Sequence, residues 1–205
     1  MSVRSALRNK RLVAAASVPV AVIASGALVW QSTYAAFSDT TSNPTNNWST
    51  GNVKLADNDN NTALFNATNL RPGATGTRCI TVTSTGTVAS NVKLYGTGYT
   101  STKSLGDVIN LQVVEGTGAT DPACAGFVAD NGAAATIFNG TLSSFASGKT
   151  DYASGVGTWS PAGVASPATE SKSYKVTYTF VSSAGNAYQT ATAAIGLTWE
   201  TQSAS

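Results

Sequence analysis

The chain reads as an all-β protein: a jelly-roll-like β-sandwich with a short helical turn and long loops, behind an N-terminal signal helix. Three observations carry that reading. The body is rich in Thr, Ser, Ala, Gly and Asn, and only 11% of residues are charged. Thr and Val favour strands, whereas Gly, Asn and Ser favour turns. Apolar residues recur at every second position in several short runs, which is the strand period. Turn-forming clusters separate these runs every ~8–12 residues, the spacing of sandwiches and jelly rolls. Long Glu/Lys/Leu-rich helical patterns are missing.

The first element is the signal. Arg4, Arg8, Lys10 and Arg11 form a basic start, and the nineteen residues from Leu12 to Trp30 carry no charge. Small residues at Thr33 and Ala35 then suit a cut between Ala35 and Ala36, completing the three-part layout of a secretory signal. An uncleaved anchor helix is the alternative, since this run almost reaches across a bilayer. Pro19, Gly26 and the small-residue exit favour cleavage. The expected organisation is a signal peptide over 1–35 and one β-sandwich domain over 36–205, secreted to the extracellular space or cell surface. No later run is long and apolar enough to anchor it, so no membrane association is expected after cleavage. The signal holds four of the twelve basic residues, leaving eight against ten acids and a formal charge of −2. Such a body offers no cationic patch for phosphates, so nucleic acid is not an expected partner.

The body follows in order. Ala36 to Asn47 is polar and extended at first, with Pro44 marking a turn. Asn52–Leu55 is a short strand, Asp57–Asn61 a turn cluster, and Thr62–Phe65 a second strand. Leu70-Arg71-Pro72-Gly73 is a tight-turn signal. From Thr77 to Thr83 the chain alternates, with Cys79, Thr81 and Thr83 on one face and Ile80 and Val82 on the other. Val88–Tyr95 reads as its return strand, making a β-hairpin around Gly86. Ile109–Glu115 alternates again, and Thr136–Phe138 is a further strand. Leu142–Ser147 fits one helical turn. Asp151–Ser171 is a long Gly/Ser/Pro loop. Tyr174, Val176, Tyr178 and Phe180 share one face of the next strand, and Ala187–Glu200 is the last, with a bend at Gly196.

The residue inventory excludes several chemistries. There is no histidine, which removes the commonest general base, the Ser-His-Asp triad and His-ligated zinc. No HExxH or GxxxxGK[ST] motif occurs. Nothing in the sequence pairs two of the ten acids, as glycoside hydrolysis requires. No catalytic residue, metal ligand or cofactor site is assigned. Asp57-Asn58-Asp59-Asn60-Asn61 resembles the start of a calcium loop, but Thr62 stands where an EF-hand needs Gly and no Glu follows at the twelfth position. A turn bonded through its own Asx side chains is the reading taken. Cys79 and Cys124 are an even pair in an oxidising compartment, 45 residues apart. With no CxxC spacing and no histidine they read as a structural disulfide, worth ~3–4 kcal/mol by loop closure. Trp48, Trp159, Trp199, Tyr174 and Tyr178 could form a sugar-stacking platform, but on alternating strands aromatics belong to the core.

A set of short motifs resembles a known family. Ala36-Phe37-Ser38-Asp39, Gly51-Asn52-Val53-Lys54-Leu55, Leu64-Phe65-Asn66, Asn69 to Gly73, Arg78 to Thr87, and Leu197-Thr198-Trp199-Glu200 together are similar to the TasA/camelysin group. The two cysteines are closer to its actinobacterial-type members than to the Bacillus proteins. The resemblance spans nearly all of 36–205. It implies a jelly-roll protein whose signal is cut by a SipW-type signal peptidase and which assembles into extracellular fibres of biofilm matrix. It implies donor-strand exchange, in which an N-terminal segment, here within Ala36 to about Trp48, completes the sheet of the next copy, with Phe37 as its apolar anchor. The expected partner is therefore a second copy of the chain, besides the signal peptidase and other matrix or cell-wall components. Camelysins are also described as metalloproteases, and the missing histidine leaves no His-ligated zinc site. The residues alone support assembly through an open sheet edge, which templates another chain's strand. The alternative is that residues 36–50 pair with their own sheet and the protein is a monomeric, non-catalytic surface module that binds polysaccharide or a host ligand.

Overall fold

A computed structural model of the chain describes residues 38–41, 55–58, 63–65, 67, 69–120, 123–164 and 168–204. All lie in one compact unit, Phe37–Ser205. The signal segment, its Ala35/Ala36 cut and Phe37 fall outside the described residues, as does most of the segment from Ala36 to Trp48. Nine strands are described: β1 Ser38–Thr41, β2 Leu55–Asp57, β3 Thr75–Ser84, β4 Ser90–Ser101, β5 Ile109–Thr117, β6 Val128–Ala129, β7 Thr136–Thr141, β8 Glu170–Phe180 and β9 Ala193–Ser203. One short helix, α1, spans Leu142–Gly148. The protein is all-β, in two antiparallel sheets.

The smaller sheet runs β1-β9-β4, and the larger runs β2-β3-β8-β5 with β6 and β7 both on the far edge of β5. Alternation explains why the sheets face each other. Ile80 and Val82 on β3, Leu111 and Val113 on β5, and Tyr174 and Val176 on β8 are buried on the inner face of one sheet. Val92 and Leu94 on β4 and Trp199 on β9 are buried on the other. The rings of Tyr174 and Trp199 meet across the interior at 5.3 Å between centroids. Two half-apolar sheets have no other way to remove these faces from water.

Several local expectations hold for physical reasons. Ala74 N donates to Arg71 O at 2.9 Å, closing a four-residue turn in which Pro72 is second and Gly73, with φ of 86°, is third. That is a type II turn, whose third position favours glycine. At α1, Thr141 is the N-cap and its hydroxyl accepts from Ser144 N at 3.1 Å. The helix buries Leu142 and Phe145 against the core. Cys79 and Cys124 are joined in a disulfide with Cα atoms 5.0 Å apart. It ties the loop ahead of β6 onto the outer face of β3. Lys175 Nζ sits 4.9 Å from the Phe127 ring centroid in the same loop.

Other expectations are corrected. β3 and β4 are not a hairpin. β3 pairs with β2 and β8, while β4 pairs with β9 in the opposite sheet. The link over 85–89 crosses between the sheets, and a five-residue stretch reaches ~16 Å, enough for the ~10 Å gap. Alternation specifies which face is buried, not which strand lies beside it. Residues 63–65 form no strand; instead Phe65 packs edge-on against Tyr178 with centroids 5.1 Å apart. Asp57 belongs to β2 rather than to a turn, and Asn58 Oδ1 accepts from Thr81 N at 3.0 Å. The last strand starts at Ala193, after a 3-10 turn over Asn186–Tyr188, and the irregularity lies between Thr97 and Thr100 of β4 instead of at Gly196.

Candidate functional site: an open sheet edge beside an apolar groove

The two flanks of the smaller sheet are built differently. β4 presents its free edge to the chain over 149–161. Ser90 N donates to Pro161 O at 3.0 Å, Val92 N to Trp159 O at 3.0 Å, and Leu94 N to Val156 O at 2.7 Å, with Val156 N returning to Leu94 O at 2.9 Å. Gly96 N donates to Lys149 O at 2.8 Å. The expected long loop is thus a strap that fills a strand's place. Trp159 and Pro161, part of the strap, are themselves buried.

The strap is latched from inside. Glu115 on β5 is fully buried. Its carboxylate accepts from Thr158 N at 3.0 and 3.2 Å and from the Thr158 hydroxyl. Gly157, with φ of 135°, passes so close that a Cβ there would lie 2.9 Å from Val92 O and 3.3 Å from Glu115 Oε1. Lys93 Nζ holds Gly157 O at 2.6 Å. At the far end, Ala162 N and Gly163 N both donate to the Glu170 carboxylate at 3.0 Å. Tyr174 stands opposite Glu115 on β8. Burial, followed by the Glu115 charge, pushes its hydroxyl well above the ordinary tyrosine pKa.

Among the described residues, β9 is flanked on the other side by β1 alone. Their antiparallel register pairs Ser38 with Gln202, Asp39 with Thr201, Thr40 with Glu200 and Thr41 with Trp199. The edge of β9 from Ala193 to Thr198 has no strand partner among the described residues. Inside this stretch opens an apolar groove of about 600 Å³. Its walls are Ile195, Leu197 and Trp199 from β9, Ile80, Leu111 and Tyr178 from the larger sheet, and Leu64, Phe65 and Leu70 from the segment ahead of β3. Trp199 Nε1 and, further along β9, Thr201 Oγ1 are buried without a hydrogen-bond partner. A buried orphan donor or acceptor costs about 1–3 kcal/mol; β4 carries one as well, Ser90 Oγ, so the two flanks differ in how their backbone edges are covered and not in side-chain satisfaction.

On the outer face of the same sheet, Tyr95 Oη donates to Glu200 Oε2 at 2.9 Å, and Gln202 Nε2 donates to Glu200 Oε1 at 3.0 Å. Burial and then the Glu200 contact raise Tyr95 to about 12.

The sequence-predicted site residues divide accordingly. Cys79 and Cys124 are joined. Ser38 and Asp39 are placed on the β9 edge, while Ala35, Ala36 and Phe37 lie outside the described residues. Trp159, Trp199 and Tyr174 are core, Tyr178 is half-buried in the groove, and Trp48 is not described. The latch between Glu115 and Thr158 was missed. Its signal was present, because Glu115 continues the buried parity of Ile109, Leu111 and Val113. The groove carried no sequence signal, since its walls come from segments far apart along the chain.

What these elements define is an all-β protein of two antiparallel sheets tied by one disulfide. The chain belongs to the TasA/camelysin family: the family model for camelysin metallo-endopeptidase matches residues 9–205. No curated protein matches the chain. The family description implies a metal, and the donor set does not fit one. No histidine exists in the chain, both cysteines are spent in the disulfide, and no three His, Cys, Asp or Glu come together among the described residues. No helix among the described residues is long and apolar enough to cross a membrane.

Proposed function

We propose that this protein is a secreted, non-catalytic structural subunit that assembles into extracellular or biofilm-matrix filaments by donor-strand exchange. The observation that carries the reading is the placement of the N-terminal strand, only four residues long, on the β9 edge beside an apolar groove. A β1 from a second copy would make the same ladder with β9, so exchange conserves hydrogen bonds and its cost is mainly entropic. Because each copy then gives a strand at one place and takes one at another, the contact does not close on itself and a filament grows. The groove and the unpartnered Trp199 Nε1 supply the apolar area and hydrogen-bonding demand that an inserted strand meets. Family membership and the basic, apolar start of the chain support export.

The test mixes two single variants, Ser38→Cys and Gln202→Cys, which occupy one register pair. Exchange brings the new cysteines of different copies together, so oxidation of the mixture gives a covalent heterodimer. If concentrated mixtures yield none, the strand stays on its own sheet and the reading fails.

A further inference from the structure

The outer face of the larger sheet carries an ordered, uncharged polar lattice. Register places Thr75 of β3 beside Thr179 of β8, and Thr179 beside Asn110 of β5. The next row is Thr77, Thr177 and Gln112, continued by Asn139 of β7. Within each row neighbours stand ~4.8 Å apart, and the two rows are separated by ~6.7 Å along the strands. Thr75 and Thr179 hydroxyls lie 3.3 Å apart, and those of Thr77 and Thr177 3.0 Å apart, so the threonine pairs brace one another. Thr75, Thr77, Asn110 and Asn139 are exposed, and Gln112, Thr177 and Thr179 are half-buried.

We propose that this lattice is a binding surface for a neutral polysaccharide chain lying across the strands between the two rows. Hydroxyls and carboxamides both donate and accept, which matches a ligand made of hydroxyl groups. The two rows hold no charged side chain, and the nearest cation on this face, Lys175 in the adjoining row, is engaged with the Phe127 ring, so a polyanion meets one cation at the border of the lattice and none within it. It also holds no aromatic ring, so binding rests on hydrogen bonds, and each site is weak. A twisted sheet still accommodates a chain that crosses strands, because a flexible polymer can follow the twist. The surface lies on the opposite sheet from the β9 edge and can act in a single copy. Where copies are joined in a row, repeated weak sites add avidity.

The experiment runs the oxidised 36–205 protein, kept monomeric by low concentration, in native gels containing dextran, hydroxyethylcellulose or alginate. Retardation is expected in one or both neutral polymers and not in alginate. Thr177→Glu/Gln112→Glu should weaken the apparent affinity at least about tenfold, equivalent to losing one or two hydrogen bonds. Asn110→Asp/Asn139→Asp, nearly isosteric and exposed, should do the same and guards against misfolding of the first pair. Tyr95→Phe, on the other sheet, should leave retardation unchanged. No retardation of the parent protein in either neutral polymer overturns the proposal. So does retardation of both lattice variants equal to that of the parent protein, or stronger retardation of the parent in alginate. None of these outcomes depends on filament formation.

Discussion

Along β4, five backbone hydrogen bonds, a buried Trp159 and a carboxylate latch close the edge of the smaller sheet. Along β9, on the opposite flank, four residues of β1 do so, and an apolar groove opens where they stop. Both flanks face the same problem, since an unpaired strand edge invites another chain. The difference lies in chain connectivity. The strap is anchored at both ends, by α1 before it and β8 after it, so it cannot leave without unfolding its neighbours. β1 is followed by thirteen residues before β2, which leaves it tethered by a long connection. Under the proposed exchange, a closed flank and an open one on the same sheet would direct growth to one side.

Breaking the closed flank should have the largest effect on stability. Trp159→Ala is expected to cost about 3–5 kcal/mol. The Ser90, Val92 and Leu94 amides should lose hydrogen-exchange protection before the rest of the sheet, which exchange monitored by NMR would show. Replacing Cys79 and Cys124 by alanine should cost about 3–4 kcal/mol through loop closure, read in denaturant titration, with β4 protection unchanged. Glu115→Ala leaves the Thr158 N–H buried without its acceptor and should cost about 1–3 kcal/mol. Glu115→Gln, which keeps an acceptor, should cost less.

The β9 flank should respond in the opposite sense. Leu197→Lys places a charge at the mouth of the groove, yet the long side chain can carry its amine outward, so stability should fall by only about 1 kcal/mol. Assembly, followed by light scattering, should nevertheless be lost. The smallest effect is expected for Tyr95→Phe, which removes the bond to Glu200 on the outer face and should cost about 1 kcal/mol at neutral pH. Its signature lies in alkali. A tyrosine raised to about 12 in the folded protein favours the folded state fully below pH ~10, and that contribution is lost as pH rises through ~12. Tyr95→Phe should therefore flatten the decline in stability between those values.

Much of the sandwich was legible because side-chain alternation reports burial directly. Ile80 and Val82, Leu111 and Val113, and the Tyr174 to Phe180 face were all readable, as were the Pro72-Gly73 turn and the disulfide. Pairing was not legible in the same way. The five residues between β3 and β4 suit either a hairpin or a crossing between sheets, and the choice is made by partners far along the chain, β8 for one and β9 for the other. The strap was missed for a related reason. Gly, Ser and Pro in 149–164 describe irregular dihedrals truthfully, but strand-like hydrogen bonding to β4 needs only carbonyls at the right places, which composition does not record. Glu115 ends the alternating run from Ile109 and its parity points inward, but nothing local to it reveals the Thr158 amide it binds. The polar lattice escaped notice because its two rows combine residues from four strands, and no single segment shows more than two of them.

The central claim is that the N-terminal segment exchanges between copies. The most direct measurement is negative-stain electron microscopy of concentrated, oxidised protein spanning 36–205, beside a version starting at Gly51. Filaments from the longer chain and none from the shorter are the predicted result. Filaments from both, or dispersed monomers from both across acid, salt and seeding, would contradict it.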